Sequence, residues 1–298
     1  MKPTRVAVIR SPGVLSAAGE LNPSQVALMV ERGLSRLFGS HEAKEALRLV
    51  FKPSDRVGIK INTIAGRLLS TRPEVCLALV TLLTRSGLQE KNIIIWDRSN
   101  RELREAGFRL SLDSQRLKVF ATDTEGAGYE TELISHANIG SLFSTIQTNF
   151  VTASISLAIL KDHGLAGITA SLKNYFGAIH NPNKYHDAHC NPYVAELFDT
   201  PPIKNKHRLS ILDALRVQYH RGPSFHAQWA EPCGMLIFAV DPVAADSVGW
   251  RVIEDLRARK GLPSLEEERR KPEYLSTAEK MGLGVASLKE IQILEDEV

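Results

Sequence analysis

The chain has 298 residues and a mass of 33.0 kDa, is 43% hydrophobic, and carries 37 basic against 34 acidic side chains. That length and apolar content support a large core, in a single α/β domain spanning 1–298 or in two closely packed subdomains. A formal net charge of +3 argues against nucleic acid as a partner, and the lack of an apolar run of about 18 residues argues against a membrane.

In chain order, residues 4–10 form a β-branched run closed by Ser11, Pro12 and Gly13, which reads as a strand. Asn22 and Pro23 open a helix, with Val26, Met29, Val30 and Leu34 at helical spacing, and a second helical patch covers 40–51. In 55–62, Val57, Ile59 and Ile61 alternate with polar or small residues, the pattern of a strand. The hydroxyls of Ser70 and Thr71, followed by Pro73, start a helix that runs to Leu83 and closes at Ser86 and Gly87. Residues 91–97 are nearly all apolar, as in a strand buried on both faces of a parallel sheet. The span from Arg56 to Asp97 therefore reads as a right-handed βαβ unit, leaving Lys60, Asn62 and Asp97 at strand carboxyl ends, where open α/β sheets hold ligands.

A charged helix near Glu102 follows, then short strands at 117–122 and 144–149. Residues 151–160 are a buried strand that delivers the chain into Lys161, Asp162 and His163, and a helix is expected from about Ile168. Residues 209–218 are strand-like with Asp213 in their middle, Arg221, Gly222 and Pro223 make a turn, and 233–240 form another strand. Asp241 caps the helix 243–259; the charged remainder reads as helical, with a peripheral strand at 291–294. The expected fold is α/β, a mostly parallel sheet flanked by helices, with a ligand cleft at the strand carboxyl ends.

Reactive side chains concentrate in residues 160–191. Lys161, His163, Lys173 and Lys184 form a candidate anion pocket, because Gly164 and Gly167 precede a helix whose free N–H groups favour a carboxylate or phosphate. Lys60, Asn62 and Asn174 are further candidate contacts to a small anionic molecule. His163 beside Asp162, or any of His180, His186 and His189, is a candidate acid–base group, since imidazole titrates near neutral pH, and Lys161 and Lys173 are further catalytic candidates. His180, His186, His189 and Cys190 have ligand types and spacings that zinc or iron uses, and Asp213 and Asp246 are candidate additions to that set; the alternative is a polar loop bonded to backbone. Asp213, midway along an apolar strand, needs a buried partner such as a lysine or a metal. Cys76, Cys190 and Cys233 form no CxxC pair, so no four-cysteine cluster can be built within one chain. A reducing, cytoplasmic compartment is the default address, or an exported one if a signal upstream was removed. GxGxxG, GxxxxGK and HExxH are all missing.

VGIKIN at 57–62, KDHGLAGITASLKNYFG at 161–177, LSILDAL at 209–215, RGP at 221–223 and DPVAAD at 241–246 together resemble the DUF362 family, a domain of unknown function, over roughly 57–252. The resemblance implies an α/β fold whose polar motifs converge on one pocket, in a family often associated with iron–sulfur or metal. Some members add a ferredoxin-like cysteine segment or an export signal, and this sequence shows neither. The stretch from KIN through NIIIWD is also similar in layout to the amino-terminal half of lactate racemase-like proteins, which handle small hydroxy acids. The expectation is a protein with a pocket for a small anionic ligand, working as an enzyme with or without a divalent metal. The alternative is a non-catalytic metal- or iron–sulfur-associated binding protein.

Overall fold

The computed structural model describes residues 3–16 and 19–298. β1 (Thr4–Arg10) leads into α1 (Pro23–Phe38) and α2 (Ala43–Arg48), followed by β2 (Val57–Lys60), α3 (Pro73–Arg85), β3 (Ile93–Trp96), α4 (Asn100–Glu105) and the short β4 (Lys118–Val119). A small hairpin, β5 (Ile134–His136) and β6 (Ile139–Ser141), precedes the long β7 (Ala153–His163), β8 (Gly167–Thr169) and the single-turn α5 (Ser171–Asn174). Then come α6 (Tyr193–Asp199), α7 (Pro201–Lys204), β9 (His207–Gln218), β10 (Ala230–Ala239), α8 (Pro242–Arg259), α9 (Tyr274–Lys280) and β11 (Ile291–Glu297).

One nine-stranded sheet organises these elements in the order β11-β1-β10-β9-β7-β2-β3-β4, with β8 folded back antiparallel on the end of β7. The run β9, β7, β2, β3, β4 is parallel throughout, and β10 is antiparallel to both β9 and β1. The two-residue period of a strand sorts side chains to the two faces. Ala7, Ile9, Ile59, Ile155 and Leu157 pack under α1 and α3, while Val6, Val8, Ala158 and Leu212 pack under α6, α8 and α9. β2 and β3 are buried on both faces, which explains the unbroken apolar run around Ile93–Trp96. The fold is thus the α/β arrangement expected.

Local start and stop chemistry was mostly legible. Asn22 accepts from Ser24 N and Gln25 N at the head of α1, and Asp241 accepts from Val243 N and Ala244 N at the head of α8. Four elements differ from expectation. Residues 167–169 are β8 rather than helix, because Lys161, Asp162 and His163 pair with Thr169, Ile168 and Gly167 in a tight antiparallel return. Residues Ile146–Phe150 form a wide helical turn instead of a strand. Thr71 does not cap α3: its hydroxyl donates to Leu157 O and accepts from Asn62 N, tying the helix entrance to the sheet. In the tail, α9 and the short turn at Leu288–Glu290 are its helical elements, and β11 pairs along the whole of β1.

Candidate functional site

The carboxyl ends of β2, β3 and β7 meet at a cleft of about 220 Å³. Its lining includes Lys60, Asn62, Asp97, Lys161, His163, Lys173, Asn174 and His186. These ends are adjacent because β2 pairs in parallel with β7 on one side and with β3 on the other.

Lys60 and Asp97 form the closed part of the floor. Lys60 Nζ lies 2.7 Å from Asp97 Oδ1 and donates to Ile61 O at 2.7 Å and Asn174 Oδ1 at 3.4 Å. The second Asp97 oxygen accepts from Thr63 N at 2.8 Å and Thr63 Oγ1 at 2.7 Å, while Arg98 N donates to the first at 2.8 Å. Burial lowers the Lys60 pKa, and the facing carboxylate opposes that shift. Asn174 Nδ2 donates to Lys60 O at 2.8 Å and to Ser156 Oγ at 3.0 Å, so the amide locks α5 onto the end of β2.

Lys161 is different. Its side chain is fully buried and lines the cleft, yet its Nζ has no hydrogen-bond partner among the described residues. Loss of solvation brings its pKa down to about 7, with the more distant Asp97 and Glu102 opposing the shift. Asn62 Oδ1, also in the lining, is likewise buried without a partner.

Lys173 sits between these extremes. Its Nζ donates to His186 Nε2 at 3.1 Å and to Cys190 Sγ at 3.6 Å, and rests 4.0 Å from the centroid of the Phe176 ring. Burial lowers its pKa to about 8. His186 Nδ1 donates to Pro182 O at 3.1 Å, which leaves Nε2 as the acceptor Lys173 needs. His163 Nδ1 accepts from Leu165 N at 3.2 Å and Ala166 N at 3.1 Å, so its ring proton is on Nε2. Burial, then the nearby Lys173, push the His163 pKa down to about 2, and the ring stays neutral across the physiological range. The rings of His163 and His186 stack with centroids 5.5 Å apart.

The structure separates the remaining predicted residues from this cleft. Exposed Lys184 donates to Gly140 O, His180 packs edge-on against Tyr129, and exposed His189 Nδ1 lies 3.1 Å from Leu165 O. The partner expected for Asp213 as a lysine or metal is instead backbone: it accepts from Arg72 N at 3.0 Å and Leu215 N at 3.1 Å. Asp246 accepts from Ser171 N at 2.7 Å and Leu172 N at 3.0 Å. That pair of bonds overturns the helix-end anion cradle, because the first N–H groups of α5 are occupied by the side-chain oxygens of the chain's own Asp246. Among the described residues, no three His, Cys, Asp or Glu side chains stand together as a metal-binding group. His186 and Cys190 are the two members of the predicted ligand set that approach each other, and both face the Lys173 ammonium.

Sequence reasoning passed over Thr63, Arg98, Glu102, Thr169, Phe176 and Pro223 in the cleft lining or beneath it. Ser156 had a visible signal, a hydroxyl inside an otherwise apolar strand. Arg270 had none: it reaches Asp162 Oδ1 at 2.9 Å from a charged surface segment 108 residues away in sequence.

The family model described as "Domain of unknown function (DUF362)" matches residues 57–251. The chain belongs to the DUF362 family. No curated protein matches it. Among solved structures, a crystal structure of a Thermotoga maritima protein from a structural-genomics programme is similar, with 11% identity and a TM-score of 0.46 over 81% of this chain and 60% of that one.

The DUF362 segments acquire physical reasons from the geometry. In LKNYFG, Lys173 enters the cleft, Asn174 binds Lys60, and Gly177 leaves room for the ion pair: a Cβ there would lie 2.6 Å from Lys60 Nζ and 3.0 Å from Asp97 Oδ1. In RGP, a Cβ on Gly222 would fall 1.8 Å from Asp162 O, and Gly222 N donates to Asp162 Oδ2 at 2.8 Å. That close approach brings Pro223 to the cleft wall. In DPVAAD the first aspartate caps α8 and the second caps α5.

Proposed function

We propose that the cleft of this DUF362 protein binds a small anionic organic molecule, a carboxylate or phosphate, through Lys161 and Lys173. The observation that carries this reading is the buried Lys161 Nζ without a partner in the cleft lining, since an isolated desolvated ammonium is costly until an anion reaches it. The charges around it leave room for one: Asp97 is engaged by Lys60, and Glu102 lies 3.4 Å from Arg98. The unpartnered Asn62 Oδ1 and the Nε2–H of the neutral His163 ring supply polar groups in the lining without adding charge.

Anion binding by a lysine with a pKa of about 7 is linked to proton uptake. A bound anion favours the ammonium, so affinity is retained below pH 7 and declines above it, by up to about tenfold per pH unit for one linked proton. Titration of phosphate and of small carboxylates into the protein from pH 6 to 9, read by calorimetry, tests this. Binding that is absent, or unchanged in Lys161→Met, ends the proposal.

A metal centre in the 180–190 loop fits the residues less well. His186 Nε2 and Cys190 Sγ, its two neighbouring donors, are both turned to Lys173 Nζ, and a cation would have to displace that ammonium.

A further inference from the structure

The three cleft lysines are chemically unequal, and that inequality points to the kind of molecule the cleft takes. Lys60 is held by a carboxylate and two carbonyl-type oxygens, and its lone pair is unavailable while that pair persists. Lys173 is held by His186, Cys190 and the Phe176 face, a setting for a fixed charge. Lys161 alone has no donor commitment among the described residues, lies at the end of a rigid central strand, and is shielded from bulk water. An uncommitted, desolvated amine at a cleft floor is the arrangement that makes lysine a nucleophile toward carbonyl carbon.

Resting on the reading of this cleft as an anion site, we infer that its ligand is a small oxo acid, whose carboxylate meets Lys173 while its carbonyl carbon condenses with Lys161 Nζ to form an imine. The Lys161 lone pair forms the new N–C bond, giving a carbinolamine. The C–O bond then breaks, and the oxygen departs as water with both hydrogens of the amine. No oxidant, reductant or metal enters the balance. Lys161 is one of the residues lining the cleft, and the condensation requires its buried nitrogen to be uncovered from that side. The cleft volume of about 220 Å³ suits a compact acid. The lowered pKa of Lys161, about 7, keeps near half of it in the neutral form at neutral pH, where an exposed lysine is almost wholly protonated.

The test is reductive trapping. The intact protein is incubated at pH 7 with pyruvate and cyanoborohydride, which delivers hydride to the imine carbon and fixes it as a secondary amine, and the modified lysine is located by peptide mass spectrometry. The expected result is one adduct per chain on Lys161, favoured over any exposed lysine by about a hundredfold. Lys161→Arg should lose the adduct, and oxamate, an unreactive carboxylate, should stabilise the parent chain in thermal denaturation. Mapping on the unmodified chain carries the test even if that variant fails to fold. Oxamate stabilisation without an adduct overturns the imine and leaves the anion cleft standing. Adducts spread over surface lysines overturn the imine too, and failure of both oxamate and pyruvate removes the anion reading with it.

Discussion

The cleft floor holds two buried lysines in opposite conditions. Lys60 is saturated with partners, and Lys161 on the neighbouring strand has none among the described residues. Both are fully buried, so burial alone does not separate scaffold from ligand-binding group; the count of satisfied protons does. A buried charge with every donor used is part of the architecture. One with its donors idle costs stability, and is explained when something outside the chain completes it.

The largest effect expected of this contrast is on folding. Lys60→Met strips Asp97 of its counter-ion and should cost about 3–5 kcal/mol in urea denaturation. Lys161→Met should be neutral or stabilising by about 1 kcal/mol, because it removes a desolvated amine that no partner offsets, and should at the same time weaken anion binding. Equal destabilisation by both variants would break the distinction. Gly177→Ala comes next, at about 2 kcal/mol, since its Cβ would sit 2.6 Å from Lys60 Nζ and force that amine off Asp97. The same substitution should leave the adjacent Lys173 contacts in place, and a changed anion affinity would show the two halves to be coupled.

What was legible beforehand follows from the range of the forces concerned. Strand alternation in 55–62, the apolar run ending at Asp97 and the caps at Asn22 and Asp241 are local, and each can be read from a few neighbouring residues. Lys60, Asn62, Lys161, His163, Lys173 and Asn174 reach one cleft because β2 and β7 are parallel neighbours, which the βαβ reading anticipated in part. The partners of the carboxylates were not legible. Asp213 meets a backbone N–H 141 residues away and Asp246 one 75 residues away, and backbone amides leave no mark in a sequence. The HxxHC loop misled for a related reason: ligand-like spacing says nothing of direction, and Ala188 and His189 adopt left-handed backbone that turns His189 outward.

The pH dependence of stability sharpens the comparison further. Asp246 is raised by burial from 3.8 to about 8 and Asp213 to about 6, so between pH 4 and those values the folded chain binds more protons than the unfolded one. Stability should therefore fall as pH rises through that window, by several kcal/mol on the size of those two shifts. Lys161 acts in the opposite sense: its folded pKa of about 7 lies below the unfolded 10.5, the unfolded chain binds more protons between them, and stability should rise with pH there. Denaturation at pH 5, 7 and 9 should show a minimum near neutrality. Asp246→Asn should flatten the acid side, and Lys161→Met the alkaline side; a monotonic profile in the parent chain would contradict both assignments.

The smallest effects belong to the residues that sequence spacing made prominent and the fold placed outside the cleft. Lys184→Ala and His189→Ala each remove an exposed side chain bonded to one backbone carbonyl, and each should change stability by less than about 0.5 kcal/mol. Neither should alter anion affinity, because Lys184 is held at Gly140 and His189 at Leu165, away from Lys161 Nζ. The informative control is His186→Ala, from the same loop. It deprives Lys173 of an acceptor at 3.1 Å and frees that ammonium, so it should tighten or leave unchanged the binding of phosphate while the two exposed variants do nothing. If Lys184→Ala weakened binding as strongly as Lys161→Met, the anion would lie over the loop, and the paired and unpaired halves of the floor would no longer explain where it goes.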